Sequence, residues 1–208
     1  MSMSDAQQVW EEHYTERDRV WSGRANVRLV EVAEAMPTGR ALDLGCGEGG
    51  DALWLAERGW HVTAVDISQT ALDRAAADAR ARNVLERIDF QRHDLPHTFP
   101  EGAFDLVSAQ FLHSMAELDR PRLLREAAEA VSAGGTLLIV DHAGPPPWAS
   151  KLHRHHEFPS ADEVVASLNL DDADWERVRI GSVERQATGP DGQVGTLVDN
   201  VIVLRRTA

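Results

Sequence analysis

The stretch ALDLGCGEGGDALWLAERGWHVTAVD, residues 41–66, decides the fold. It opens on an apolar run that suits a buried strand. It then passes a turn dense in glycine, continues as a helical segment closed by Gly59, and ends on a second strand that finishes at Asp66. A strand, a glycine turn, a helix and a second strand make the unit that grips nucleotide-containing cofactors. Glycine permits the tight turn and lets the ligand approach the backbone, while the helix N-terminus offers N–H groups. Gly45, Gly47 and Gly50 fit the dinucleotide pattern, and Gly45, Gly47 and Gly49 fit the tighter GxGxG spacing. The glycines alone leave both cofactor classes open.

Working outward, strand-like and helix-like segments alternate, which predicts an α/β layered fold. Strands are expected at 40–45, 61–66, 88–94, 104–111 and 135–142. Helices are expected after the glycine turn, from an N-cap at Ser68 to near Asn83, and over 120–132 with Pro121 in the first turn. The pattern changes after His142. Residues 143–160 are rich in proline and histidine and cannot form one continuous element. A capped helix then starts at Ser160, and strands over 174–187 and 196–206 flank the turn TGPDGQ, which predicts an antiparallel hairpin. The expected architecture is therefore a Rossmann-like, seven-stranded, mostly parallel sheet with helices on both faces and a C-terminal antiparallel hairpin. It forms one domain over 1–208: a helical lid segment (1–39), a cofactor-binding core (40–142) and a substrate-side segment with the hairpin (143–208). A hairpin replaces the second βαβαβ half of a full dinucleotide fold.

Composition sets further bounds. The 208 residues are 43% hydrophobic and can bury one substantial core. No apolar run is long enough for a membrane span, and the polar, acidic start lacks the blocks of a signal peptide. Cys46 is the single cysteine, which excludes an internal disulfide and fits a reducing cytoplasm. A formal net charge of −13 with no basic cluster disfavours nucleic acid as a partner.

Charge around the turn separates the two cofactor classes. Asp43, Glu48 and Asp51 surround the glycines, and no Lys or Arg interrupts them. A diphosphate would meet repulsion there, offset by the helix dipole alone. A sulfonium cation carrying an ammonium group would be attracted, with Asp43 placed to hold the ammonium. This favours S-adenosylmethionine over a nicotinamide nucleotide. Asp66, at the end of the second strand, suits the ribose hydroxyls in either class.

The segments LDLGCGEG, VTAVDIS, RHDL and FDLVSAQFLH, taken in order over 40–142, resemble the class I S-adenosylmethionine-dependent methyltransferases. The front VWEEHYTERDRVWSG and the back DWERVRIGSVERQATGPDGQ are similar to the small tellurite-resistance and thiopurine-type members. The resemblance implies methyl transfer to a small-molecule acceptor. It implies an adenine contact by Asp94 and Leu95, with Ile67 on one adenine face. Its front segment would fold over the site, bringing Trp21 near the sulfonium and Arg24 to a carboxylate. Sheet geometry sets Ala109 and Gln110, with Phe111, against the methionine part, because ligands collect at the carboxyl ends of parallel strands. Cys46 reads as a small filler, since nothing in an acidic loop lowers its pKa.

The acceptor side is less defined. His113 and His142 follow strands four and five and are candidate proton acceptors, with structural roles the simpler account for each. Arg24, Trp148, His153 and Arg185 are candidate substrate contacts, with Phe158 as apolar wall. His153, His155 and His156 lack a supporting cysteine, so no metal is expected. Soft anions need no strong base, whereas hydroxyls do. A nicotinamide-dependent oxidoreductase and a non-catalytic cofactor-binding module remain the competing functions.

Overall fold

A computed structural model describes residues 4–114, 118–148, 158–189 and 192–207. The first strand, β1 (Arg40–Leu44), is buried on both faces from Ala41 onward, as its unbroken apolar run requires. It pairs in parallel with β2 (His61–Asp66) on one side and β4 (Phe104–Gln110) on the other. β3 (Ile88–Arg92) lies outside β2, and β5 (Val131–His142) outside β4, all parallel. The hairpin strands β6 (Trp175–Thr188) and β7 (Val194–Arg206) complete one seven-stranded sheet in the order β3-β2-β1-β4-β5-β7-β6. β7 enters between β5 and β6 and is antiparallel to both. The order reverses between β1 and β4, so a crevice opens at their carboxyl ends.

Among the described residues six α-helices accompany the sheet: α1 (Asp5–Thr15), α2 (Val27–Ala33), α3 (Gly50–Glu57), α4 (Gln69–Ala81), α5 (Arg120–Glu129) and α6 (Ala161–Leu168). Strand alternation divides the core in two. Leu137 and Ile139 of β5 pack with Leu123 and Leu124 of α5 and Val164 of α6, while Leu138 and Val140 face the side holding Leu29 of α2 and Leu53 of α3. Caps begin the helices where side chains can accept from orphaned N–H groups: Ser68 for α4, Asp119 for α5 and a Ser160/Glu163 capping box for α6. Asp105, at the start of β4, accepts from the Arg40 backbone N–H and ties β1 to β4 away from the crevice.

The seven strands, their directions and the two-sided helix layers agree with the sequence. Several boundaries do not. The helix expected over 120–132 ends at Glu129, and β5 already begins at Val131, where its pairing with β4 is irregular. The third strand stops at Arg92, leaving His93 and Asp94 in the following turn. No described helix is long and apolar enough to cross a membrane.

Candidate functional site

The crevice opens into a cavity of about 940 Å³, lined by the glycine turn, the ends of β2, β4 and β5, the hairpin and the front segment. Gly45 and Gly47 have φ of +70° and +53°, so the turn demands glycine. A Cβ on Gly47 would also press on the Tyr14 hydroxyl at 2.9 Å and the Trp21 ring at 3.2 Å. Cys46 donates its backbone N–H to Val65, and burial pushes its thiol well up, which agrees with an inert filler.

The front segment is strapped onto this turn by the turn's own acids. Glu48, 1% exposed, accepts from the backbone N–H groups of Val20 and Trp21 and pairs with Arg74 of α4 at 2.9 Å. Asp51 accepts from the Asn26 N–H at 2.6 Å. The strap carries Trp21 across Gly47, with its Nε1 donating to the Tyr14 hydroxyl at 3.0 Å. Helix α1 closes from the other side. Its Glu11 accepts from Ser68 and Thr70, and its N-cap Ser4 donates to Asp94 at 2.7 Å. Sequence reasoning missed Trp10, Tyr14 and Glu11, because no local pattern says which body a short N-terminal helix will dock on.

These contacts correct the charge argument. All three acids do not face a ligand: Arg74 reaches Glu48 from α4, and Glu48 serves the strap. Asp43 differs. It is 2% exposed, lines the cavity, and its Oδ2 finds no hydrogen-bond partner among the described residues. Burial, reinforced by the charges of Asp51 and Asp66, pushes its pKa well above the usual carboxylate range. Burial likewise carries Asp51 up to about 6 despite the Asn26 hydrogen bond. Asp66 accepts from the Gly47 and Ser68 N–H groups at 2.9 Å each, and burial still raises it. Two more buried oxygens beside the cavity, Asp94 Oδ1 and Gln110 Oε1, also have no partner among the described residues. An orphaned carboxylate oxygen and a turn stripped of Cβ atoms fit a ligand that donates hydrogen bonds and carries positive charge.

At the far end, Phe111 holds a left-handed φ of +49°, sparsely populated for a bulky residue, and its ring stacks on His142 at 4.3 Å. His142 faces Asp199 of β7, with Nδ1 3.3 Å from Oδ1, and Arg185 of β6 donates its Nε to the other Asp199 oxygen. Burial raises Asp199, but the hydrogen bonds from His142 and Arg185 outweigh it and hold the carboxyl below its usual range. His113 stands 3.8 Å from Asp141, a buried acid paired with Arg120.

The cavity therefore gathers Trp21, Arg24, Asp43, Gly45, Cys46, Gly47, Asp66, Ile67, Asp94, Leu95, Gln110, His113, His142, Trp148 and Arg185. Among the described residues three expected ones, Gly49, Ala109 and the apolar-wall candidate Phe158, do not line it. Gly49 starts α3 at φ +82°, and a Cβ there would meet Ala75 of α4 at 2.8 Å, so its glycine serves helix packing. Ala109 is fully buried in the core. His153, with His155 and His156, lies outside the described residues. Among the described residues no group of three His, Cys, Asp or Glu stands ready for a metal ion.

Residues 41–135 match the family model described as a methyltransferase domain. The chain thus carries a methyltransferase domain, in keeping with its resemblance to the class I S-adenosylmethionine-dependent methyltransferases. It is 35% identical over 156 residues to a glycine/sarcosine/dimethylglycine N-methyltransferase from Actinopolyspora halophila, covering 72% of this chain and 25% of that one. It is 31% identical over 150 residues to thiocyanate methyltransferase 1 from Arabidopsis thaliana, covering 68% of this chain and 65% of the relative. The chain thus spans a quarter to two thirds of the length of these relatives. The crystal structure of TehB from Haemophilus influenzae shares the fold at a TM-score of 0.71 and 18% identity, covering 95% of this chain and 67% of that one. In this methyltransferase, the hairpin, the α/β order and the glycine turn all follow from one architecture.

Proposed function

We infer that this methyltransferase transfers a methyl group from S-adenosylmethionine to a small-molecule acceptor, with residues 1–208 working as one unit in the cytoplasm and no nucleic-acid partner. One observation carries the reading: the buried Asp43 carboxylate has an orphaned oxygen on the cavity, and Arg74, which reaches the turn from α4, is already paired with Glu48. An ammonium would satisfy that oxygen, whereas a diphosphate would face it unshielded. The competing oxidoreductase reading loses its ground there.

Each residue then has a task. Asp43 holds the ammonium, and Asp66 takes the ribose hydroxyls on the lone pairs its two backbone bonds leave free. Asp94 Oδ1 accepts from the adenine amine, with Ile67 and Leu95 against the ring. Gly45, Cys46 and Gly47 let the backbone approach, and Gln110 borders the methionine part. Trp21 covers the turn and faces positive charge with its ring, and Arg24 meets the carboxylate. The bound cofactor supplies an electrophilic methyl carbon. The chain's own work is alignment of the acceptor and exclusion of water beneath α1 and the strap, the source of most rate gain in a displacement with a neutral leaving group. The two relatives are named for an amine and a sulfur acceptor, so likeness alone leaves the accepting atom open.

Calorimetry with S-adenosylmethionine, S-adenosylhomocysteine and NAD tests the reading. Binding of both sulfur compounds and not NAD is expected, and binding of NAD alone would overturn it. Labelled methyl transfer to phenols, amines, thiols and metalloid oxyanions then separates an enzyme from a binding module.

A further inference from the structure

We propose that His142 is the general base for the acceptor and Asp199 its positioning residue, so that the acceptor carries an O–H or N–H proton lost during transfer. This rests on the methyltransferase reading above. His142 ends β5, and Asp199 lies directly opposite it on β7. Arg185 pairs with Leu197, one diagonal step from Asp199 on the same face of the hairpin, and its guanidinium reaches the second carboxylate oxygen. Asp199 is therefore held ionised and accepts at both oxygens. An ionised carboxylate cannot donate, so the His142 Nδ1 carries the proton. Nε2, on the far side of the ring, is left as an acceptor, and the ring lines the cavity with a third of its side chain exposed. Phe111 clamps one face of that ring from a strained backbone position.

Asp199 gives His142 its positioning contact, while His113 lies parallel to it at 6.3 Å, with Nε2 3.8 Å from the Asp141 carboxylate. Asp141 pairs with Arg120 through Oδ1, and Arg185 is taken up by Asp199. In the step itself, a lone pair on the acceptor's O or N forms the bond to the methyl carbon. The carbon–sulfur bond breaks with its pair remaining on sulfur, and the acceptor proton passes to His142 Nε2. A pre-ionised acceptor such as thiocyanate has no proton to give and gains nothing from the arrangement.

The test uses the full chain, as wild type, His142→Ala and Asp199→Asn. Nitrogen-15 spectra of the histidines read the tautomer without any turnover. The wild type is expected to show His142 protonated at Nδ1, and Asp199→Asn a mixture. Labelled methyl transfer to catechol, a secondary amine and thiocyanate reads the chemistry. His142→Ala should lose at least ~100-fold with catechol or the amine, in line with a positioned base, and imidazole should restore part of it. S-Adenosylhomocysteine affinity should stay within about twofold in both variants, since neither residue touches the turn. An Nε2-protonated His142, undiminished catechol and amine turnover in His142→Ala, or a wild type that methylates thiocyanate alone would each overturn the proposal. The tautomer decides it even if the wild type methylates none of the three. Failure of the wild type to bind S-adenosylhomocysteine would instead strike the methyltransferase reading itself.

Discussion

Asp43 and Asp199, buried acids at the two ends of the cavity, are treated in opposite ways. At the glycine turn, Asp43 has an oxygen with no partner and its pKa is driven up, with Asp51 and Asp66 adding to the negative field. At the hairpin end, Asp199 is matched at both oxygens by Arg185 and His142 and is held below its usual range, while Asp141 pairs with Arg120 through one oxygen and burial still raises it. A buried charge without a counterion is costly, so it persists where a ligand supplies the missing cation. A buried charge with its counterion in the chain is a scaffold. The difference teaches where ligand charge belongs: positive at the turn, near neutral at the hairpin.

Breaking the scaffold end should have the largest effect. Arg120→Ala leaves Asp141 buried without its guanidinium, beside His113 and His142. It should cost about 3 kcal/mol of stability in denaturant unfolding, because removing one partner of a buried pair strands the other. A double variant, Arg120→Met with Asp141→Leu, should recover most of that loss, and if it does not, the pair is more than a neutralised scaffold.

At the turn the expected signature is inverted. Asp43→Asn should weaken S-adenosylmethionine by about 30-fold in calorimetry, the worth of a charge-assisted hydrogen bond. The ligand-free thermal midpoint should hold or rise, since an uncompensated charge has been removed. A fall in stability with unchanged affinity would erase the contrast between the two ends.

pH sharpens the same contrast. Carboxylates raised by burial keep their protons in the folded chain after the unfolded chain has released them. Ligand-free stability from Asp51 is therefore present at low pH and lost as pH rises from 3.8 through about 6, and Asp43, also raised by burial, adds a loss of the same sign. A cationic ligand needs the ionised acid, so its affinity should run the other way, falling about tenfold for each unit of pH below the folded-state pKa of the one group that must ionise. Thermal midpoints with and without S-adenosylmethionine between about pH 5 and 8 should converge at the acid end. Asp199, lowered and paired, should contribute no such convergence.

The smallest effect belongs to the strap. Glu48→Gln keeps the shape but weakens the hold on Val20, Trp21 and Arg74. It should speed cofactor release about threefold in stopped-flow measurements, at little cost in stability, since an exchanged hydrogen bond is worth about 1 kcal/mol.

The turn was legible because its requirements are local. Gly45 and Gly47 sit at positive φ, and Asp66 caps a strand that the alternation of the chain already marks. The charge argument was legible in part: Asp43 carries it, but Arg74 reaches Glu48 across 26 residues of sequence and no spacing announces that. At Gly49 the spacing pointed to ligand approach, whereas Ala75 of the neighbouring helix is what requires glycine there.

By itself, the sequence determined the strand succession, the glycine turn and the acid at the end of β2, because each depends on backbone stereochemistry and side-chain periodicity within a few residues. Only the tertiary structure decided that α1 and the strap cover the turn, and that Asp199 comes to face His142 from 57 residues away. The reason is the insertion of β7 between β5 and β6, which sets antiparallel register across the sheet. Such long-range pairing is fixed by burial of whole faces, and leaves no local mark on the residues it brings together.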